Sequence, residues 1–130
     1  MAHFVDTNIV VYAYAGGAKT PKAVAVLQGA TISVQVLNEF SNVALRKLGY
    51  TTAKLDMRIG SIRSQVAEIA VLDESTHDLA RAIVARYQLS FYDSVLIASA
   101  LLADCDTFYS EDMQHGLLIE DLLRIINPFV

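Results

Sequence analysis

At 130 residues the chain is near the commonest size for one domain and long enough to bury one core. Hydrophobic residues make up 54% of it and charged residues 18%, a balance that excludes a disordered chain. No apolar run approaches the roughly 18–20 residues of a membrane span, and a net charge of −4 argues mildly against a nucleic-acid partner.

His3 to Val5 reads as a first strand ending in Asp6. Asp6, Thr7 and Asn8 offer N-caps for a helix over the apolar run Ile9 to Ala15, stopped by Gly16-Gly17. Pro21 stands near the start of a second helix, Lys22 to Leu27, closed by Gly29. Thr31 to Ser33 is short and largely β-branched, a second strand. Val36, Leu37, Phe40, Val43, Ala44 and Leu48 repeat with a helical period through Val34 to Leu48, up to Gly49. Thr51 or Thr52 starts a polar-faced helix through about Arg63, and Glu68 to Leu72 is strand-like. Ser75 and Thr76 are candidate caps of an amphipathic helix with Leu79, Ala82, Ile83 and Tyr87 on one stripe. Asp93 opens a helix that is apolar nearly all round and therefore buried. Thr107 to Ser110 and Arg124 to Ile126 read as the last strands.

Short strands alternating with helices imply crossovers and a parallel sheet between helical layers, an α/β chain without a visible domain boundary over 1–130. Ligands of such sheets gather beyond the carboxyl ends of the strands. Asp6 and Asp112 follow strands, Asp93 opens a buried helix, and Glu39 lies about a turn and a half into the helix after the second strand. Taken singly, each such carboxylate is first a cap or a solvated turn residue. Clustered carboxylates, however, raise each other's pKa unless a cation neutralises them. The last lysine is Lys54, so pairing all four internally is hard to arrange. Oxygen ligands select Mg²⁺ or Mn²⁺ over zinc, and no Cys/His spacing suggests a zinc site. Such ions clamp a phosphodiester and activate the attacking water, so the chemistry inferred is phosphodiester hydrolysis.

Charge is unevenly spread: residues 1–63 carry a balance of +4 and residues 64–130 a balance of −8. A metal-dependent nuclease would use such an asymmetry, although a chance distribution of solvated charges is the plainer account. Lys19, Lys22, Arg46 and Lys47 are the candidate phosphate contacts, with plain surface charge as the alternative for each. Glu111, Asp104, Asp106, His77 and His115 read first as turn or surface residues, with a place beside the metal ligands open to Glu111 and a phosphate contact open to His115. Tyr12, Tyr14 and Tyr92 read first as core or dimer-face aromatics, and base stacking is open to Tyr92 because it adjoins Asp93. Lone Cys105 excludes an intramolecular disulfide. With a start lacking the basic and apolar segments of a secretory signal, it points to the cytoplasm. The high apolar share for so short a chain points to a covered face.

Five blocks in order, VDTNIVVYA (Val5–Ala13), SVQVLNEF (Ser33–Phe40), FYDSVLIASALLADC (Phe91–Cys105), YSEDMQHG (Tyr109–Gly116) and NPF (Asn127–Phe129), resemble the PIN-domain family, and most of all its VapC-type toxins. The resemblance implies a single PIN-like domain, a three-layer α/β/α sandwich with a short, mostly parallel sheet. It implies a Mg²⁺- or Mn²⁺-dependent endoribonuclease acting on structured RNA such as tRNA or rRNA. Asp6 and Asp93 would be the principal metal ligands, completed by Glu39 and Asp112, partly through water. Thr7 and Asn8 would brace Asp6, and Ser110 takes the place of the hydroxyl residue two before the last acid. It further implies a homodimer and a small antitoxin that covers the site. The alternatives are a PIN-like module that binds RNA or protein without cutting, and a phosphoacceptor domain, which the absence of a late lysine opposes.

Overall fold

The computed structural model describes residues 2–130. Twelve elements follow in chain order: β1 (His3–Val5), α1 (Thr7–Ala15), α2 (Thr20–Leu27), β2 (Thr31–Ser33), α3 (Val34–Arg46), α4 (Thr52–Gln65), β3 (Glu68–Ala70), α5 (Glu74–Tyr87), α6 (Phe91–Leu102), β4 (Thr107–Tyr109), β5 (Leu118–Ile119) and β6 (Leu123–Ile126).

The sheet runs β3-β2-β1-β4-β6-β5, parallel throughout except for the edge pair β5–β6. From β1 the chain winds outward to β2 and β3, then jumps back across the sheet to β4. Right-handed crossovers place α1 to α4 on one face and α5 and α6 on the other. The winding therefore reverses between β1 and β4, the place in such a sheet where a crevice opens.

Phe4, Ile32, Phe108 and Ile125 from the strands are fully buried, with Ile9, Leu27, Phe40, Ile83, Leu96 and Ile97 from the helices. Every residue of α6 from Ser94 to Ala100 is buried, as its all-round apolar sequence requires. Among the described residues, no helix is long and apolar enough to cross a membrane.

Three local expectations need correction. The N-cap of α5 is Asp73, not Ser75 or Thr76. Its carboxylate accepts from the Thr76 amide at 3.1 Å, and Thr76 returns a bond to the Asp73 backbone in a capping box. Helix α6 begins two residues before Asp93, because the Ser90 hydroxyl caps it by accepting from the Asp93 amide at 3.2 Å. The hairpin strand β5 was unforeseen, since the turn after it places Glu120 and Asp121 at φ 53 and 56, without the glycine or asparagine that marks such turns. The end of α5 props that turn: the Glu120 amide donates to the Tyr87 hydroxyl, and its carboxylate pairs with Arg86.

Candidate active site

Asp6 directly follows β1 and caps α1. It is only 6% exposed. Its amide donates to Tyr109 O, continuing the β1–β4 pairing by one step. Its Oδ1 accepts from the Thr7 amide at 2.7 Å and its Oδ2 from the Ser110 hydroxyl at 2.8 Å. Ser110 Oγ in turn accepts from the amides of Asp112 and Met113, at 3.2 and 3.3 Å. One buried hydroxyl thus uses its donor and both lone pairs to join the end of β1 to the loop that carries Asp112. That loop is tied a second time, by Asn8 Nδ2 donating to Asp112 Oδ2 at 2.7 Å.

Glu39 comes from α3, where Ser33 at the end of β2 caps the helix by accepting from the Val36 amide. Six positions along from the cap, its carboxylate accepts from Thr7 Oγ1 at 2.5 Å and from Gln35 Nε2 at 3.2 Å. Helices α3 and α6 meet at this end of the sheet, bringing in Asp93 as the third residue of α6.

The four acids share one electrostatic environment. Burial pushes the Asp6 carboxyl up from 3.8 to about 6, with the charges of Asp93 and Asp112 adding to the rise against the hydrogen bonds from Ser110 and Thr7. Asp93 is also raised, by burial first and then by Asp112 and Glu39, against its bond with Ser90. The ion pairs among the described residues join Lys19 to Glu111, Arg81 to Asp78 and Arg86 to Glu120, and none reaches these acids.

As they stand, no three His, Cys, Asp or Glu side chains among the described residues are drawn together closely enough to ligate one ion. Asp6 is buried and fixed at both oxygens, whereas Glu39, Asp93 and Asp112 are at least partly exposed. Hard oxygen donors, two carboxyls raised by burial and mutual repulsion, and no neutralising side chain fit a divalent cation of the Mg²⁺ or Mn²⁺ type.

All seven residues expected at the centre, Asp6, Thr7, Asn8, Glu39, Asp93, Ser110 and Asp112, meet at this strand end. The basic candidates lie elsewhere. Lys19 is held by Glu111 and stands over the rings of Tyr12 and Phe129, at 4.7 and 5.3 Å from their centroids. Lys22 is exposed on α2. Arg46 and Lys47, at the end of α3, line a hollow with Asn42 and Val43.

Two contributing residues escaped notice in the sequence, and the contacts of a third were hidden. Gln35 had a signal, standing four residues before Glu39 on one helix face. Ser90 had one too, as a cap three residues before Asp93. Glu111 stood out only as a neighbour of Asp112; its partners Tyr12 and Lys19, about 90 or more positions away, show only in the fold. Of the other sequence candidates, His115 accepts from the Asn127 amide, His77 packs edge-on to Phe91, and Cys105 is buried.

The sequence matches the PIN domain over residues 3–116. No curated protein sequence matches it significantly. Among solved structures, a toxin–antitoxin complex from Klebsiella pneumoniae superposes with a TM-score of 0.72 at 18% identity, covering 98% of each chain. VapC20 of Mycobacterium tuberculosis, described as a sarcin-ricin loop cleaving toxin, gives 0.67 at 20% identity over 85% of this chain and 92% of its own. VapBC2 of Rickettsia felis, bound to a DNA fragment from its promoter, gives 0.63 at 18% over 98% of this chain and all of that one. At these identities the likeness is one of fold.

Proposed function

The chain belongs to the PIN-domain family, and from that premise we propose that it is a Mg²⁺- or Mn²⁺-dependent endoribonuclease, one domain over 1–130 and the toxin of a toxin–antitoxin pair. The observation that carries the reading is the meeting of Asp6, Glu39, Asp93 and Asp112, from four separate segments, at the sheet's crevice with no cationic side chain between them. Solved relatives of the same fold that are toxins or toxin–antitoxin complexes give the biological half of the proposal.

Asp6 and Asp93 would hold the ion, with Glu39 and Asp112 completing the pocket directly or through water. A bound divalent ion supplies Lewis-acid stabilisation of the phosphate and a lowered pKa for the attacking water. The chain's own residues set the geometry. Ser110 and the Thr7 amide fix both oxygens of Asp6. Thr7 and Gln35 aim Glu39, and Asn8 steadies Asp112. Held in this way, the acids accept protons or metal without side-chain reorganisation at Asp6.

The chain acts in the cytoplasm on tRNA- or rRNA-like RNA, as a homodimer restrained by a small antitoxin. Val71 and Leu122, 68% and 67% exposed, are apolar surface for those partners to cover. The test is cleavage of structured RNA by wild type, Asp6→Asn and Asp93→Asn with Mg²⁺, Mn²⁺ or EDTA. Metal-dependent cutting, lost by at least 100-fold in both variants with folding intact, is expected from the usual weight of such ligands. Cutting that survives EDTA or either substitution overturns the proposal, and tight RNA binding without any cutting leaves a binding module instead.

A further inference from the structure

One face of α3 leads away from the acids. Gln35, Glu39, Asn42 and Arg46 repeat at helical spacing, so they stand one above another. Gln35, Asn38, Glu39 and Asn42 line a hollow of about 340 Å³ with Tyr92, across from α3 at the start of α6. Asn42 also belongs to the next hollow, about 450 Å³, whose other walls are Val43, Arg46 and Lys47. The two make one groove that starts at a catalytic acid and ends on two cations, about 10 Å further along the helix.

Its chemistry is specific. Amides with both donors and acceptors line the middle. Tyr92 is 62% exposed, an unusual place for a ring, and Phe91 steadies it at a centroid distance of 5.6 Å. Arg46 and Lys47 enter no ion pair among the described residues, in contrast to Lys19. An open, amide-lined groove with one exposed aromatic and a cationic end suits single-stranded nucleic acid, which is held by stacking and phosphate contacts. The core of a protein interface is drier and more apolar.

We infer that this groove along α3 is a subsite for the single-stranded nucleotides flanking the scissile phosphate. Tyr92 stacks one base beside the cut, Asn38 and Asn42 bond base or sugar edges, and Arg46 and Lys47 hold a phosphate further along. The inference rests on the ribonuclease reading above. It makes Tyr92 and Asn42 determinants of where the RNA is cut, a role separate from that of the acids.

The test uses Tyr92→Ala, Tyr92→Phe and Asn42→Asp, all at exposed positions, with folding checked by circular dichroism and melting. Each is compared with wild type on an oligoribonucleotide pool randomised around the cut. Removing the ring should raise KM roughly 5- to 100-fold, the usual weight of one base stack. It should leave kcat within about twofold and flatten the preference at one flanking position. Tyr92→Phe should restore both, and Asn42→Asp should raise KM by repelling phosphate. Unchanged KM and preference in Tyr92→Ala overturns the subsite. In parallel, fluorescence anisotropy reads binding of a labelled single-stranded oligoribonucleotide in EDTA. If wild type cuts no RNA but binds it, and Tyr92→Ala binds at least fivefold more weakly, the ribonuclease reading falls and the subsite stands. If binding is equal, or if the substitutions alter only self-association, the groove is not an RNA site.

Discussion

The residue whose surroundings say most is Asp6. Its carboxyl is buried and raised to about 6, against 3.8 for an exposed aspartate. Between these two values the folded chain keeps a proton that the unfolded chain has released, so stability falls as pH rises through that window. At neutral pH the loss is about 3 kcal/mol, fully present once Asp6 is ionised in both states. Asp6→Asn cannot ionise and escapes that loss, while its side-chain oxygen still accepts from the Thr7 amide. The new amide does disturb Ser110, whose oxygen already accepts two bonds. The expected net effect is that metal-free Asp6→Asn is more stable than wild type by about 1–2 kcal/mol at pH 8, the difference vanishing near about pH 5 and reversing by about 1 kcal/mol at pH 4. Denaturant melts in EDTA at both pH values check this, and a variant less stable than wild type at pH 8 contradicts it. Such a cost is what the proposed metal-ligand role of Asp6 would carry in the absence of its ion.

At the scale of elements, the same caps that start helices also place acids. Asp6 caps α1, and Ser90 caps α6 and fixes the turn that carries Asp93. Ser90→Ala should cost about 1 kcal/mol of stability, like any lost cap. It should also lower RNA cleavage severalfold, because Asp93 loses its tether. Thr51→Ala removes the cap of α4, which holds none of the acids, and should cost about as much stability without lowering cleavage. Comparing melts and cleavage rates of the two variants separates position from stability; equal losses of activity would contradict the assignment.

The sequence made some of these elements plain and hid others. Asp6 directly follows β1 and caps α1, so boundary and candidate site residue coincide there and both are visible locally. The all-round apolar character of α6 likewise foretold its burial, and the strand-end positions of Asp6 and Asp112 foretold that they would meet at one end of the sheet. The hairpin of β5 was hidden because a distant contact, Tyr87 and Arg86 on Glu120, sustains its turn where no local residue preference does. For the same reason Lys19 looked free, when a loop 92 positions away holds it. Local chemistry is legible in sequence; pairings made by the crossovers are not.

For the whole molecule, the site stitches two halves of opposite charge, since Asp6 and Glu39 come from the basic half and Asp93 and Asp112 from the acidic one. A chain of net charge −4 has no long-range attraction for RNA, so its affinity must rest on a few local cations. Lys19 is already neutralised by Glu111, whereas Arg46 and Lys47 lie at the groove's end without an ion pair among the described residues. Each phosphate neutralised on a single strand contributes about 0.7 to the slope of log affinity against log salt. In the Asp6→Asn background, which the proposed role of Asp6 makes unable to cut, replacing Arg46 and Lys47 together by alanine should therefore reduce that slope by about 1.4, and Lys19→Ala should leave it nearly unchanged. Anisotropy titrations with a single-stranded oligoribonucleotide between roughly 50 and 200 mM salt measure both. A slope that responds to Lys19 and ignores the α3 pair would place the RNA path along α2, on the other flank of the acids.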